Sequence, residues 1–204
     1  MEKFNCVIPD WTEMVSIAKK TCDTIKDSNF HPDVIIALSR GGLVPARLCC
    51  DFLHIKNCLS IKVDHWGLTA TKDGHAKLTQ GLTTDLSDKK VLVVDDITDT
   101  GQSMEIAKKH LEELNPKEMK TATLFHLTGA KYTPDFFGTE REWAWIIFPW
   151  NFREDMVNII KKITTVEEKN LEQIKDELKV NFNVDTEIEE LKEIVEHISY
   201  LDNL

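Results

Sequence analysis

No apolar run in this chain approaches the roughly 18 residues that a membrane-spanning helix needs, and the opening MEKFNCVIPDW has no signal-peptide core. No membrane partner is expected, and a cytoplasmic location is. An excess of positive charge is also missing: 25 Lys and Arg against 35 Asp and Glu leave a net charge of −10. Such a balance argues against nucleic acid as a partner. The five cysteines, Cys6, Cys22, Cys49, Cys50 and Cys58, form no CxxC pair, and their number is odd. A disulfide framework or thiolate metal knuckle is therefore disfavoured, and buried thiols in a reducing compartment are expected. There are no internal repeats.

What is present fits one globular domain with an appendage. The chain has 204 residues and is 42% apolar, enough for a sizeable core. Its acidity is uneven. Residues 165–204 hold 12 Asp and Glu against 4 Lys and Arg, whereas residues 1–164 are close to balance.

Asp10 and Glu13 have the spacing of a helix N-cap and its N3 partner, and Met14, Ile17, Ala18, Cys22 and Ile25 follow helical spacing. VIIAL (34–38) reads as a strand buried on both faces, with LVPARLCCDFL as the helix after it. LSIKV (59–63), VLVV (91–94) and TATLFHL (121–127) read as further strands, SMEIAKKHLEEL (103–114) as a helix, and WAWIIFPW (143–150) as a fifth, aromatic-rich segment. Residues 66–85 have no clear period and read as a long surface loop or flexible ribbon, a common form for a lid. Strands alternating with helices predict a doubly wound, mostly parallel, five-stranded α/β sheet. The stripes Leu171, Ile174, Leu178 and Ile188, Leu191, Val195, Ile198, Leu201 predict a two-helix hairpin, with Thr186 and Glu189 spaced as a capping box between them. The expected division is residues 1–162, with a small hood at about 128–155, and an acidic hairpin over 163–204.

Two stretches carry chemistry. SRGG (Ser39, Arg40, Gly41, Gly42) lies between a strand and a helix, where glycines allow close backbone approach and the helix start favours an anion. VLVVDDITDTGQS (91–103) is the more specific. Thr98, Thr100, Gly101, Gln102 and Ser103 can turn hydroxyls and backbone N–H groups toward a phosphate. Carboxylates repel phosphate, so Asp95 and Asp96 must serve another part of the ligand. Paired acceptors at a strand end suit a vicinal diol such as ribose, or a hydrated Mg2+. The ligand implied carries a phosphate, a ribose and a second anion.

VVDDITDTGQS resembles the phosphoribosyl-pyrophosphate (PRPP) motif of type I phosphoribosyltransferases, and SRGG is similar to that family's pyrophosphate loop. Residues 66–85 lie where the family has its catalytic loop, and WIIFPW (145–150) resembles the hood of xanthine-guanine-type enzymes. The resemblance covers about residues 8–160 and is nearest to small prokaryotic 6-oxopurine enzymes; residues 163–204 resemble nothing recognisable. It implies ribose and Mg2+ contacts for Asp95 and Asp96, 5′-phosphate contacts for Thr98 to Ser103, pyrophosphate contacts for Ser39 to Gly42, and base contacts for Trp145 and Ile146. His65 and Trp66, which open the loop, are candidates for closure or base contact. Asp99 is the mark of a 6-oxopurine enzyme, where an acid near N7 of the base can move a proton. Implied partners are PRPP, a purine base, the nucleotide product and pyrophosphate, with a homodimer or higher homo-oligomer as the assembly.

Two positions depart from the family pattern. Leu127 stands where a lysine usually contacts O6 of the base, with His126 before it and Lys131 four residues later as the candidate replacement. Asn151 stands where relatives often carry an acid that helps hold a second metal. The alternatives are a transferase for another base and a PRPP-sensing regulator without catalysis.

Overall fold

The computed structural model describes residues 3–66, 75–165 and 169–203. By its contacts the chain divides into two compact units, Trp11–Trp143 and a smaller one built from Met1–Asp10 with Ala144–Leu204.

The larger unit contains α1 (Trp11–Asp27), with β1 (Cys6–Val7) preceding it in the other unit. Then come β2 (Val34–Ser39), α2 (Leu43–Phe52), β3 (Cys58–Trp66), β4 (His75–Gln80), β5 (Lys90–Thr98), α3 (Gln102–Glu112), β6 (Glu118–Leu127) and β7 (Phe136–Arg141). They form one six-stranded sheet in the order β4-β3-β2-β5-β6-β7, parallel except for the edge strand β4. The continuous apolar runs follow from burial on both faces. Ile35, Ala37, Leu92 and Val94 pack with Cys22, Ile25 and Cys49 of α1 and α2. Val34, Ile36, Leu38, Val91 and Val93 pack with Met104, Ala107 and Leu111 of α3. The period of two in each strand divides one run between two cores.

The sheet differs from the five-stranded expectation in three ways. Its far edge is β7, FFGTER, whose burial alternates along the strand rather than running continuously. The aromatic segment at 143–150 is not a sheet strand: only Trp145–Ile146 extends, as β8, and it pairs in parallel with β1 as Cys6↔Trp145 and Val7↔Ile146. Pro149 and the turn around it stop that strand early. The segment read as a loop or ribbon begins at the last residue of β3 and contains β4, which pairs antiparallel with β3; residues 67–74 lie outside the described ones.

The smaller unit adds α4 (Phe152–Thr164), α5 (Leu171–Phe182) and α6 (Ile188–Leu201). Met156, Ile160 and Ile163 of α4, Ile174, Leu178 and Phe182 of α5, and Leu191 and Ile194 of α6 share one core with Cys6 and Ile147. The predicted hairpin stripes therefore cover α4, and the division falls at Ala144 rather than at residue 162. The capping box also moves. Asn170 caps α5: its side chain accepts from the Gln173 N–H at 3.0 Å, and the Gln173 side chain accepts from the Asn170 N–H at 2.9 Å. At α6 the N-cap is Glu187, and the Thr186 hydroxyl donates instead to the Glu190 carboxylate at 2.8 Å.

All five cysteines are free, four buried and Cys58 exposed. Burial pushes the Cys6 and Cys50 thiols up to about 12, which leaves them protonated at neutral pH. No helix among the described residues is long and apolar enough to cross a membrane.

Candidate active site

The strand order places the site. β2 leads through α2 to β3 on one side of it, and β5 leads through α3 to β6 on the other. The chain thus leaves the adjacent strands β2 and β5 in opposite directions, which opens a crevice beyond their carboxyl ends. Both candidate motifs sit there. A cleft of about 240 Å³ is lined by Ser39 at the end of β2 and Gly41 after it, and by Asp95, Asp96, Thr98, Asp99, Gly101 and Ser103 from β5 to α3.

The sequence placed a strand end at Val94, but β5 continues to Thr98. Asp95 and Asp96 are therefore successive strand positions, leave the backbone in opposite directions, and both reach the cleft. The Asp96 N–H donates to the Asp95 carboxylate at 2.9 Å. Burial, and then the charge of Asp96, raise the Asp95 carboxyl well above the usual carboxylate range. Two acids held this close in a partly buried cleft are a receptor for hydroxyl hydrogens or a cation.

The Ser39–Arg40 peptide bond is cis. Gly41 packs directly on the other motif: a Cβ there would fall 2.6 Å from Cγ of Asp96. Only glycine lets this turn and that carboxylate share the cleft. Arg40, between Ser39 and Gly41, is exposed. Hydrogen bonds from Thr79 and Lys62 hold the Asp64 carboxyl of β3 below its ordinary range, and the charge of Arg40 adds to them.

Beyond β5, Asp99 accepts from the Thr100 N–H. The Thr100 hydroxyl accepts from the Gln102 N–H at 3.4 Å. Gly101 is left-handed, with φ 87°, and is the N-cap of α3. A glycine cap supplies no side-chain oxygen for the first amides of the helix, which suits them to an anion. Thr98 lines the cleft while its hydroxyl donates to Thr123 at 3.3 Å, within the sheet.

The expected base contacts are more scattered. Leu127 is buried at the end of β6. His126 before it is also buried, with its Nδ1 lacking a hydrogen-bond partner and its ring 5.1 Å from that of Phe137. Lys131 is exposed, and its backbone N–H donates to the Thr100 carbonyl at 3.1 Å. Trp145 and Ile146 belong to the smaller unit. There the Trp145 indole donates to Asp155 at 3.2 Å and its ring meets Phe4 edge-on at 6.3 Å, while Ile146 is buried. Asn151 is the N-cap of α4. The pairing of Gly41 with Asp96 had no signal in the sequence beyond the glycine pair itself. Nor did the place of Tyr132 against Gly101.

A parallel sheet with an anion turn, a carboxylate pair and a second glycine turn at one switch point defines a protein built to bind a phosphorylated, hydroxyl-bearing ligand. More narrowly, the chain belongs to the phosphoribosyl transferase domain family, whose pattern matches residues 8–156. It is 33% identical to the xanthine-guanine phosphoribosyltransferase of Idiomarina loihiensis, over 57% of this chain and 70% of that one. It is 31% identical to the xanthine-guanine phosphoribosyltransferase of Desulfotalea psychrophila, over 69% and 83%. Among solved structures, the purine phosphoribosyltransferase from Pyrococcus horikoshii is similar with a TM-score of 0.62 and 31% identity, covering 71% of this chain and 93% of that one.

Proposed function

We propose that the protein transfers the 5-phosphoribosyl group of PRPP to N9 of a 6-oxopurine, hypoxanthine, guanine or xanthine, with release of pyrophosphate, in purine salvage. The observation that carries this reading is the meeting of Ser39–Gly42 with Asp95–Ser103 in one cleft between adjacent strands. A salvage role in the cytoplasm and a homo-oligomeric assembly complete the proposal.

The roles divide by chemistry. The amides and hydroxyls from Thr100 to Ser103 hold the 5′-phosphate at the start of α3, with Thr98 as the wall behind them. Asp95 and Asp96 accept from the ribose hydroxyls. Ser39 to Gly42, with the Arg40 charge, take the pyrophosphate. Positioning and charge stabilisation of this kind supply much of the rate in group transfer. Asp99 stands on the exposed side of the turn, where its carboxylate can take or return the N7 proton as the glycosidic bond forms.

The donor set fits magnesium in the manner that ion prefers. Among the described residues no group of three or more His, Cys, Asp or Glu could hold a metal by itself. Asp95 and Asp96 would hold Mg2+ together with ligand oxygens and water. Bound there, it would offset the negative charge of the departing pyrophosphate.

For the base, the proposed contact within the larger unit comes from the segment after β6. Leu127 offers O6 no donor, and two donors flank it in sequence, His126 and Lys131. Lys131 is the proposed one, because its backbone is tied to the phosphate turn. Pyrophosphate release from PRPP should be measured with hypoxanthine, guanine, xanthine, adenine, orotate and uracil. Turnover with a 6-oxopurine, little with the pyrimidines and incomplete exclusion of adenine is the expected pattern. Turnover confined to another base would refute the substrate, and no turnover with any base would refute the enzyme.

A further inference from the structure

The phosphate turn does not stand alone. The chain just after β6 is fastened to it. The Lys131 N–H donates to the Thr100 carbonyl at 3.1 Å. The next residue lies against the left-handed glycine: a Cβ on Gly101 would fall 3.0 Å from the Tyr132 nitrogen and 3.2 Å from its Cα. The phenol then reaches back to the sheet, where its oxygen is 3.0 Å from the Thr121 hydroxyl. That hydroxyl donates to the Asp135 carboxylate at 2.9 Å and accepts from the Asp135 N–H at 3.0 Å. Its one proton is therefore committed, and Tyr132 must be the donor of the phenol contact.

Asp135 completes the lock. It also accepts from the Thr121 N–H at 2.8 Å and pairs with Lys120 at 3.1 Å. Burial works to raise its carboxyl, but these bonds outweigh burial and hold it below the ordinary range. On its other side the Tyr132 ring lies 5.5 Å from the Lys108 ammonium, on α3 itself. One residue thus touches the turn and the helix that follows, and its own position is fixed by a buried threonine.

We propose that Tyr132 is a positioning residue for the phosphate turn: anchored by Thr121 and Asp135, it backs Gly101 and fixes the first amides of α3 in the orientation a ligand phosphate meets. Tyr132 touches no ligand. The inference rests on the phosphoribosyl-transfer reading only for the identity of that phosphate.

The test is calorimetry of ribose 5-phosphate on the full chain, with KM for PRPP, KM for the base and kcat measured beside it. Tyr132→Phe keeps the ring and loses the phenol bond, so affinity for ribose 5-phosphate should fall about fivefold, the weight of one net hydrogen bond. Tyr132→Ala frees the turn, and the loss should be on the order of 10²-fold, as for a displaced binding group. KM for PRPP should rise in step while KM for the base stays at the wild-type value. A merely structural role would lower the melting temperature and move all constants alike, or none. Unchanged affinity for ribose 5-phosphate in Tyr132→Ala, with the wild type binding it, would overturn the inference. Wild-type binding of ribose 5-phosphate without transfer to any base would overturn the function and leave the positioning role standing. No binding by the wild type would overturn both.

Discussion

Gly41→Ala adds one carbon where the two motifs touch. The three atoms nearest the new Cβ all belong to the Asp96 carboxylate, with Cγ at 2.6 Å, and none is backbone. The clash can therefore be relieved by swinging that carboxylate away at a cost of about 1 kcal/mol, the scale of a side chain forced off its rotamer. For a chain of this length that is a fall of roughly 2–4 °C in melting temperature. The functional loss should be much larger. A carboxylate moved by about 1 Å from the group it must hold costs on the order of 10²-fold in rate. The assay is kcat/KM for PRPP, with thermal melting of the same samples. Gly129→Ala is the control, since a Cβ there meets nothing within 4 Å. The expected result is a crippled Gly41→Ala enzyme that melts nearly as the wild type does. Wild-type kcat/KM in that variant would refute the placement of Asp96 at the ligand. A collapse in melting temperature would show that the glycine serves packing.

Asp99→Asn should lower kcat by ~10²–10⁴-fold, the range for a general acid–base group, and change PRPP affinity by less; an unaltered kcat, with chemistry rate-limiting, would remove the residue from proton transfer. Phe182→Ala empties the core of the smaller unit, where Phe182 is fully buried and meets Phe4 edge-on at 4.9 Å. Its cost should be about 3–5 kcal/mol, or roughly 10 °C in melting temperature, with ribose 5-phosphate binding retained. A change below about 1 °C by differential scanning calorimetry would refute the role given to that core.

Sequence carried the parts of this fold that depend on neighbours along the chain. VIIAL and VLVV could be read as strands because both faces are buried, so no partner had to be known. The turn into α3 was readable for the same reason: glycine, hydroxyls and a helix start are all within Asp99–Ser103. Edge strands were harder. β7 has one flank unpaired, alternates in burial, and follows Pro134, so FFGTER gives a weak signal by itself. WAWIIFPW misled in the opposite direction. Of its apolar residues, Ile147 and Trp145 pack in the core of the smaller unit, and only Trp145 and Ile146 pair, with a strand from the chain's beginning.

The site divides along the same line, and this decides which substitutions inform most. Asp95, Asp96 and Asp99, which line one cleft, could be singled out because their pattern is local. The contacts that hold them in register are not. Gly41 meets Asp96 across 55 positions of sequence, and Tyr132 meets Gly101 across 31. In each pair the sequence contains half of the interaction at each place and nothing that joins them; the joining is done by the register of β2 against β5 and of β5 against β6. A parallel sheet sets that register through its two buried faces, since a slip of one residue would exchange the side chains that each face packs against its own helices. Core residues such as Ile36 and Val93, which do not line the cleft, therefore determine where the carboxylates of Asp95, Asp96 and Asp99 stand. A substitution that loosens this packing should misplace both motifs together, whereas Gly41→Ala and Tyr132→Ala each disturb one join and leave the other intact.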